Sequence, residues 1–303
     1  MLLTVKTRTG KSLIQKLELA KDDQTATVDD VCQAIHAKIP KFTPSRQRLT
    51  FGDNAVLQKG TPLSKYNVKD GDTIIFKDLG LQISWTAVFV LEYLGPILIH
   101  PLFYFFPQLF YTAAPAPRTT IQNVTLILTV LHFMKREYET LFVHRFSLET
   151  MPLMNLPKNC AHYWFFSGLL LAHATYRPGF NGGVAGGIGS GAGLYVLIGV
   201  WMYAEISNFV THLTLRNLRP PGSKVRNIPH GYGFALVACP NYLFEALGWV
   251  SLSLINGSAA SWLFTALGTW QMYVWAVKKH DRYKKEFGLQ YPRGRKAMFP
   301  FIA

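Results

Sequence analysis

Several things are scarce in this chain, and each scarcity excludes something. Among 303 residues only Cys32, Cys160 and Cys239 are cysteines, with no CxxC spacing. Three such thiols cannot form a disulfide framework, so an oxidising compartment is not implied. An apolar leader is missing too: MLLTVKTRTGK carries Lys6 and no hydrophobic core, so no secretory signal is expected. Charge is low, with 16% Asp, Glu, Lys and Arg against 49% apolar and 14% aromatic residues, a balance unlike that of a soluble protein. Whole stretches lack charge altogether. Ala246 to Val277 is a 32-residue run without Asp, Glu, Lys or Arg. It cannot be an ordinary surface helix, because about 20 apolar residues already suffice to cross a bilayer.

What is present is unevenly spread. Residues 1–77 are polar and charge-rich, and beyond Asp78 long charge-free runs alternate with basic clusters. That step in composition predicts a boundary between residues 1–77 and 78–303. The expected spans are Leu81 to about Leu102, Thr120 to Met134, Asn159 to Tyr176, Gly191 to Val210, Tyr232 to Ile255 and Ser258 to Val277. The count is six, or seven if the stretch from Leu81 to Tyr111 breaks around Pro96 and Pro101. Threading six spans places residues 1–77, Lys135 to Lys158, Arg216 to Arg226 and the C-terminal tail on one face. Those segments hold nearly all the Lys and Arg, which makes that face cytosolic and puts both termini there. The net charge of +14 is then mostly a topology signal, and it also draws anions to any concave site on that face. Nucleic acid is a poor partner, because the charge lies against the membrane surface.

The N-terminal 77 residues follow the pattern of a small α+β ubiquitin-like (β-grasp) domain. MLLTVKTRTGKSL reads as strand, turn and strand, and ATVDDVCQAIHAKI as a helix with Thr27 before two acids. QRLTFG and LSKYNVKDGDTIIF complete it. Gly80 runs directly into more chain, so this is no conjugatable tag. Cys32 and His36 stand one helical turn apart, but without a further ligand pair they read as ordinary helix residues.

Within the spans a few polar residues lie where they are expensive. Glu92 interrupts WTAVFVLEYLGPILI, and Glu245 sits between CPNYLF and ALGWV. An ionisable group in a span is a functional candidate by default, although Glu92 near an interface would need no such role. Asn208 and His212 stand one turn apart, just before a connection in which Arg216, Arg219, Lys224 and Arg226 crowd among Pro220, Pro221, Gly222 and Pro229. Prolines and glycine hold such a run in a defined loop able to surround phosphates. The tail KKHDRYKKEFGLQYPRGRKAMFPFIA joins His280, Tyr283, Tyr291, Arg293 and Arg295. It is either a patch held by anionic lipid or one wall of a site for a multiply phosphorylated ligand. GIGSGA, Gly187 to Ala192, imitates a dinucleotide fingerprint. It follows no strand and lies in a glycine-rich loop on the far face, so the confirming context is absent.

YETLFVHRFS, EISNFVTHLTLRNLRPPGSKVRNIP, ACPNYLFEALGW and HDRYKKEFGLQYPRGRKAMFPFI together resemble the steroid 5α-reductase superfamily. They are most similar to its branch of very-long-chain trans-2,3-enoyl-CoA reductases, which also carry a ubiquitin-like N-terminal domain. The resemblance implies a multi-span α-helical membrane domain in the endoplasmic reticulum, NADPH as cofactor and a long-chain enoyl-CoA as substrate. It also implies other fatty-acid elongation enzymes as partners. Reduction of a 2-enoyl thioester needs hydride at the β-carbon, a donor to the thioester oxygen and a proton at the α-carbon. On the resemblance, Tyr242 in CPNY is the proton donor, where the steroid-reducing branch has phenylalanine. Without it, a lone Tyr in a span reads as an interfacial anchor. Lys135 would activate the phenol or hold a CoA phosphate, and Glu92, in its neutral form, would donate to the thioester oxygen. Arg145, Asn208, Arg219, Arg226, Asn241, Glu245, His280 and Tyr283 resemble the residues around the dinucleotide. His212 replaces an acid of the steroid branch and Arg226 an aromatic. No metal is expected.

Other readings stay open: a steroid or polyprenol reductase of the same superfamily, an isoprenylcysteine-type membrane methyltransferase, or a non-catalytic membrane scaffold. The methyltransferase would carry S-adenosylmethionine. A scaffold gains nothing from charged and amide side chains inside its spans. No assigned site residue precedes Leu81, so residues 1–77 are expected to be dispensable for chemistry.

Overall fold

The computed structural model describes residues 1–303 except 115, 147–148, 183–190, 219–226 and 303. Two compact units result. One holds Met1–Trp85 and a later segment ending at Leu156, and the other holds Thr86–Ser147 and Pro157–Ala303.

In the first unit, strands β1 (Leu2–Thr7), β2 (Ser12–Glu18), β3 (Gln47–Phe51), β4 (Ala55–Val56) and β5 (Thr73–Asp78) form a sheet in the order β2-β1-β5-β3-β4. β1 and β5 run parallel, and the other neighbours are antiparallel. Helix α1 (Val28–Lys38) starts where the sequence signals it. The Thr27 side chain accepts from Asp30 N while the Asp30 carboxylate accepts from Thr27 N, satisfying two orphan groups reciprocally. Its Val31 and Ile35 pack with Leu3, Val5, Leu17, Leu49 and Ile74 in a closed apolar core. Gln47 is buried, and its Nε2 donates to Cys32 O and Phe42 O, both at 2.8 Å. The unit extends past residue 77. Strand β6 (Gln82–Ser84) pairs antiparallel with β7 (Thr150–Pro152), and Leu153 N bonds Leu81 O.

The second unit is built from helices α2 (Trp85–Phe105), α3 (Thr120–Tyr138), α4 (Leu156–Ala161), α5 (Leu171–Tyr176), α6 (Gly191–Asn217), α7 (Pro240–Asn256) and α8 (Ala259–Phe287). α4 and α5 are joined by a π-helical stretch, His162–Leu170. Among the described residues, α2 and α6 are long and apolar enough to cross a membrane, with mean hydropathies of 1.6 and 1.3. Pro96 and Pro101 do not break α2, which runs through both. One expected span is corrected. Tyr232 to Cys239 is not helical, and α7 begins at Pro240. The cause is local: Gly231 and Gly233 have φ of +94° and +74°, conformations that only glycine adopts without strain. A side chain on Gly233 would also meet Pro240 Cβ at 2.6 Å.

This unit buries polar side chains beside an apolar cluster around Tyr93, Phe133 and Trp249, and it exposes large apolar side chains outside. Gln122, Thr125, Thr129, His132, Asn208 and Asn256 are buried, whereas Leu98, Phe105, Ile127, Met202, Ile206, Leu263 and Trp270 are exposed. An apolar exterior suits a hydrocarbon solvent, in which buried polar groups must pair internally. Several do, although Thr129 Oγ1 has no partner among the described residues. Gln122 Nε2 donates to Thr175 O and Arg177 O, at 3.0 and 2.9 Å, and Asn256 Nδ2 to Thr175 Oγ1 at 2.9 Å. His100 is sandwiched between Tyr176 OH and Ser167 O. Small residues allow close approach. Gly248 of α7 faces Glu205 of α6, where a Cβ would stand 3.3 Å from Oε1, and Ser251 Oγ donates to Leu197 O at 2.7 Å.

Candidate active site

The site grows from the end of α3. After Tyr138 the helix widens into a π-helical turn, Glu139–Val143, closed by His144 N donating to Glu139 O at 2.7 Å. Such single π-turns re-aim side chains and are common at functional sites. Here Val143, His144, Arg145 and Phe146 line a cavity of about 300 Å³. Its other walls come from the end of α6 (His212, Arg216), from the first turn of α7 (Asn241, Tyr242) and from α8 (Lys279, Tyr283). Arg136, Arg145, Arg216 and Lys279 all face it, and no carboxylate does among the described residues.

Behind the cavity lies a buried network of opposite charges. His132 Nδ1 is 2.7 Å from Glu205 Oε1, and its Nε2 is 3.2 Å from Glu245 Oε1. Carboxylates at both ring nitrogens require both to be donors, so the ring is an imidazolium. Lys135 Nζ donates to Glu205 Oε2 at 3.0 Å and to Asn208 Oδ1, and it lies 3.3 Å from Glu139 Oε1. Asn208 Nδ2 in turn donates to Asn241 O at 2.8 Å and to Glu245 Oε2 at 3.1 Å. Arg136 bonds Glu139 Oε2 and donates to Tyr93 OH at 3.1 Å. Three carboxylates thus face three cations, the pairing that buried charge demands.

Glu139, His144 and His212 bring ligand atoms within 4.8 Å of one another. Arg136 bonds that same carboxylate and stands 3.4 Å from His212 Nδ1, and Lys135 flanks its other oxygen. Two fixed cations already neutralise Glu139, so a metal ion there would meet repulsion.

The C-terminal tail returns to this region. Ala238 N donates to Lys296 O at 2.7 Å, Lys296 N to Leu236 O at 2.9 Å and Cys239 N to Ala297 O at 3.1 Å. The tail therefore clasps the segment that leads into α7 and its Tyr242. His280 Nδ1 lies 2.9 Å from Tyr291 OH, and the Arg295 guanidinium stacks 5.2 Å from the Tyr291 ring centroid.

The residues expected to form the site divide into four groups. Tyr242, Asn241, Arg145 and Tyr283 line the cavity. Lys135, Asn208, Glu245 and His280 do not line it and are engaged in the pairs just described. Glu92 is buried, hydrogen-bonded to Asn159, and is not on the cavity wall. Arg219 and Arg226, and most of GIGSGA, lie outside the described residues. Sequence reasoning missed His132, Arg136, Glu139, Glu205 and Lys279. A signal existed for Glu205, the one acid in a run that is otherwise charge-free from Tyr195 to Thr211. His132 precedes Lys135 and Arg136 at helical spacing, which also marks a shared face.

A family model described as 3-oxo-5-alpha-steroid 4-dehydrogenase matches residues 149–303. The chain belongs to this family. A Schizosaccharomyces pombe protein bearing the name of an enoyl reductase is 48% identical over 266 residues, covering 88% of each chain. The very-long-chain enoyl-CoA reductase of Dictyostelium discoideum is 43% identical over 246 residues, covering 81% of this chain and 79% of its own. A trans-2,3-enoyl-CoA reductase-like protein of Mus musculus is 32% identical over 297 residues, covering 93% and 79%. Family membership and the apolar exterior together make this a membrane protein, and the family chemistry is a nicotinamide-type redox reaction. The cavity suits a phosphate-bearing dinucleotide. Among the described residues its cations outnumber its anions, Tyr283 and Phe146 line it with rings, and Asn241 Oδ1 is a buried acceptor without a partner. A carboxamide NH₂ is the kind of donor that such an orphan acceptor requires.

Proposed function

We propose that this protein is an NADPH-dependent reductase that converts trans-2,3-enoyl-CoA to saturated acyl-CoA, the last step of very-long-chain fatty-acid elongation. The observation that carries the reading is Tyr242, a phenol on the wall of a cavity lined by four cations, in a chain 43% identical to a very-long-chain enoyl-CoA reductase. NADPH, when bound, supplies a hydride to the substrate's β-carbon. Tyr242 gives its hydroxyl proton to the α-carbon, on which negative charge then resides. Arg136, Arg145 and Arg216 hold the anionic groups of dinucleotide and coenzyme A, and the family resemblance assigns Arg219 and Arg226 the same role. Lys135 and Glu245 work through Asn208, whose amide fixes Asn241 beside the phenol. Glu92, hydrogen-bonded to Asn159 and off the wall of this cavity, is the candidate for donation to the thioester oxygen. His280 secures the tail through Tyr291.

In this reading residues 1–77 are a ubiquitin-like domain outside the chemistry, and six spans carry residues 78–303 in the endoplasmic reticulum membrane. Both termini are cytosolic, and other elongation enzymes are the partners. Purified protein given NADPH and a long-chain trans-2-enoyl-CoA should consume both in equal amounts, read as loss of reduced-nicotinamide absorbance and gain of acyl-CoA. Co-purified S-adenosylmethionine with no NADPH consumption would replace this reading with a methyltransferase.

A further inference from the structure

The cavity wall built by the chain after α3 holds a ring that residue type alone does not single out. Phe146 lies on that wall, next to Arg145. Phe89 of α2 stacks on Phe146, with centroids 5.5 Å apart and planes at 14°. Phe89 in turn lies 5.8 Å from Tyr93, with planes at 26°. The Arg136 guanidinium stands 5.3 Å from the Tyr93 centroid, and its Nη2 donates to the phenol oxygen at 3.1 Å. The rings thus form one stack, closed at its far end by a cation that also lines the cavity. Stacking of this kind fixes ring planes as well as burying area.

Among the described residues neither Phe89 nor Tyr93 lines the cavity. Phe89 therefore covers one face of Phe146, and the ring gives its remaining surface to the cavity. Arg145 Nη1 donates to the Arg216 backbone oxygen at 3.2 Å, which brings two cavity-lining arginines together on this side. Tyr242 enters from α7, a different wall. In NADPH the adenosine carries two anionic groups, the ribose 2′-phosphate and the pyrophosphate, whereas the nicotinamide must sit with the substrate at Tyr242. A ring beside arginines suits the adenosine end.

We propose that Phe146 is the stacking platform for the adenine ring of the bound dinucleotide, and that Phe89 is the positioning residue that holds it. The inference rests on the reading of the cavity as an NADPH site. Every base has a π-face, so such a platform needs no hydrogen-bond partner, and its removal costs on the order of 10-fold or more in affinity.

The test uses the full-length protein in lipid nanodiscs, titrated by calorimetry with NADPH and with 2′,5′-ADP, which keeps the adenosine half and its 2′-phosphate. Phe146→Leu should weaken both ligands by the same factor, on the order of 10-fold. Phe146→Tyr should bind both like the wild type, because the ring is kept. At saturating NADPH the kcat of Phe146→Leu should stay within about twofold of wild type, so the loss falls on KM. Phe89→Leu should weaken both ligands in part. The Phe89→Leu/Phe146→Leu double variant should bind no more weakly than Phe146→Leu, because Phe89 acts only through that ring. Weakened NADPH binding with unchanged 2′,5′-ADP binding would overturn the proposal and move the stack to the nicotinamide. So would unchanged affinity for both ligands in Phe146→Leu, or a double variant weakened by the product of the two single factors. Wild-type protein that binds neither ligand would remove the NADPH reading itself, a different failure from wild-type binding that survives Phe146→Leu.

Discussion

Glu205→Gln tests the buried network most severely, because it removes charge while keeping shape. Glu205 is bonded by His132 at 2.7 Å and by Lys135 at 3.0 Å, on side chains that are 5% and 18% exposed. Breaking a buried ion pair costs roughly 3–5 kcal/mol when the surviving charge is left alone. Here neither cation is wholly abandoned: His132 keeps Glu245, and Lys135 keeps Glu139 and Asn208. The expected loss is therefore smaller, about 2 kcal/mol. The Gln amide would also present an NH₂ group to a cation, which disfavours the native geometry further. For a unit of this size that corresponds to a fall of roughly 4–8 °C in Tm. Fluorescence-detected size exclusion after heating in detergent would read it. A second readout is activity, because Lys135 and Asn208 are steered through Glu205. Unchanged thermal stability together with unchanged turnover would refute the claim that this network carries the site.

Three further outcomes follow from particular contacts. Gly95→Ala would place a Cβ within 2.5 Å of the Trp164 ring, whose Nε1 donates to Leu91 O. The substitution should cost about 1–3 kcal/mol, visible as a lower Tm, and wild-type stability would show that Trp164 is not locked against α2. In the sheet unit the Asp30 carboxyl is held down to about 2, first by the Thr27 hydroxyl and then by Lys21. A lowered acid stabilises above its unfolded value near 4 and loses that contribution as pH falls toward 2, so amide-exchange protection of α1 should decline over that window. Asp30→Asn should flatten the decline, and an identical pH response would contradict the assignment. Asn256 in the NGS turn is fully buried and donates to Thr175, so the mobility of microsomal protein should not change on endoglycosidase treatment. A shift would contradict that burial.

Much of the fold was legible because its causes are local. Thr27 with two following acids marks the start of α1, and the charge-free runs mark the apolar helices. The exceptions are also local, but depend on backbone conformation. Gly231 and Gly233 turn the chain before Pro240, and an apolar run alone cannot reveal that. The site was legible only in part. Tyr242, Asn241 and Tyr283 were legible through the family resemblance of their segments, since a lone Tyr in a span otherwise reads as an interfacial anchor. The Lys135–Glu205–His132–Glu245 network joins α3, α6 and α7 across about 110 positions of sequence, and no periodicity says which faces those helices turn toward one another. For the same reason neither the ion pairs of Lys135 inside the bundle nor the place of Lys279 on the cavity wall could be read from residue type and position.

The most direct test of the central claim is Tyr242→Phe, measured in a single turnover with NADPH and a long-chain trans-2-enoyl-CoA. The substitution removes one oxygen from the cavity wall, so folding and NADPH binding should survive. Formation of saturated acyl-CoA should slow on the order of 100-fold or more, as expected for loss of a general acid. Acyl-CoA formed at the wild-type rate would contradict the account.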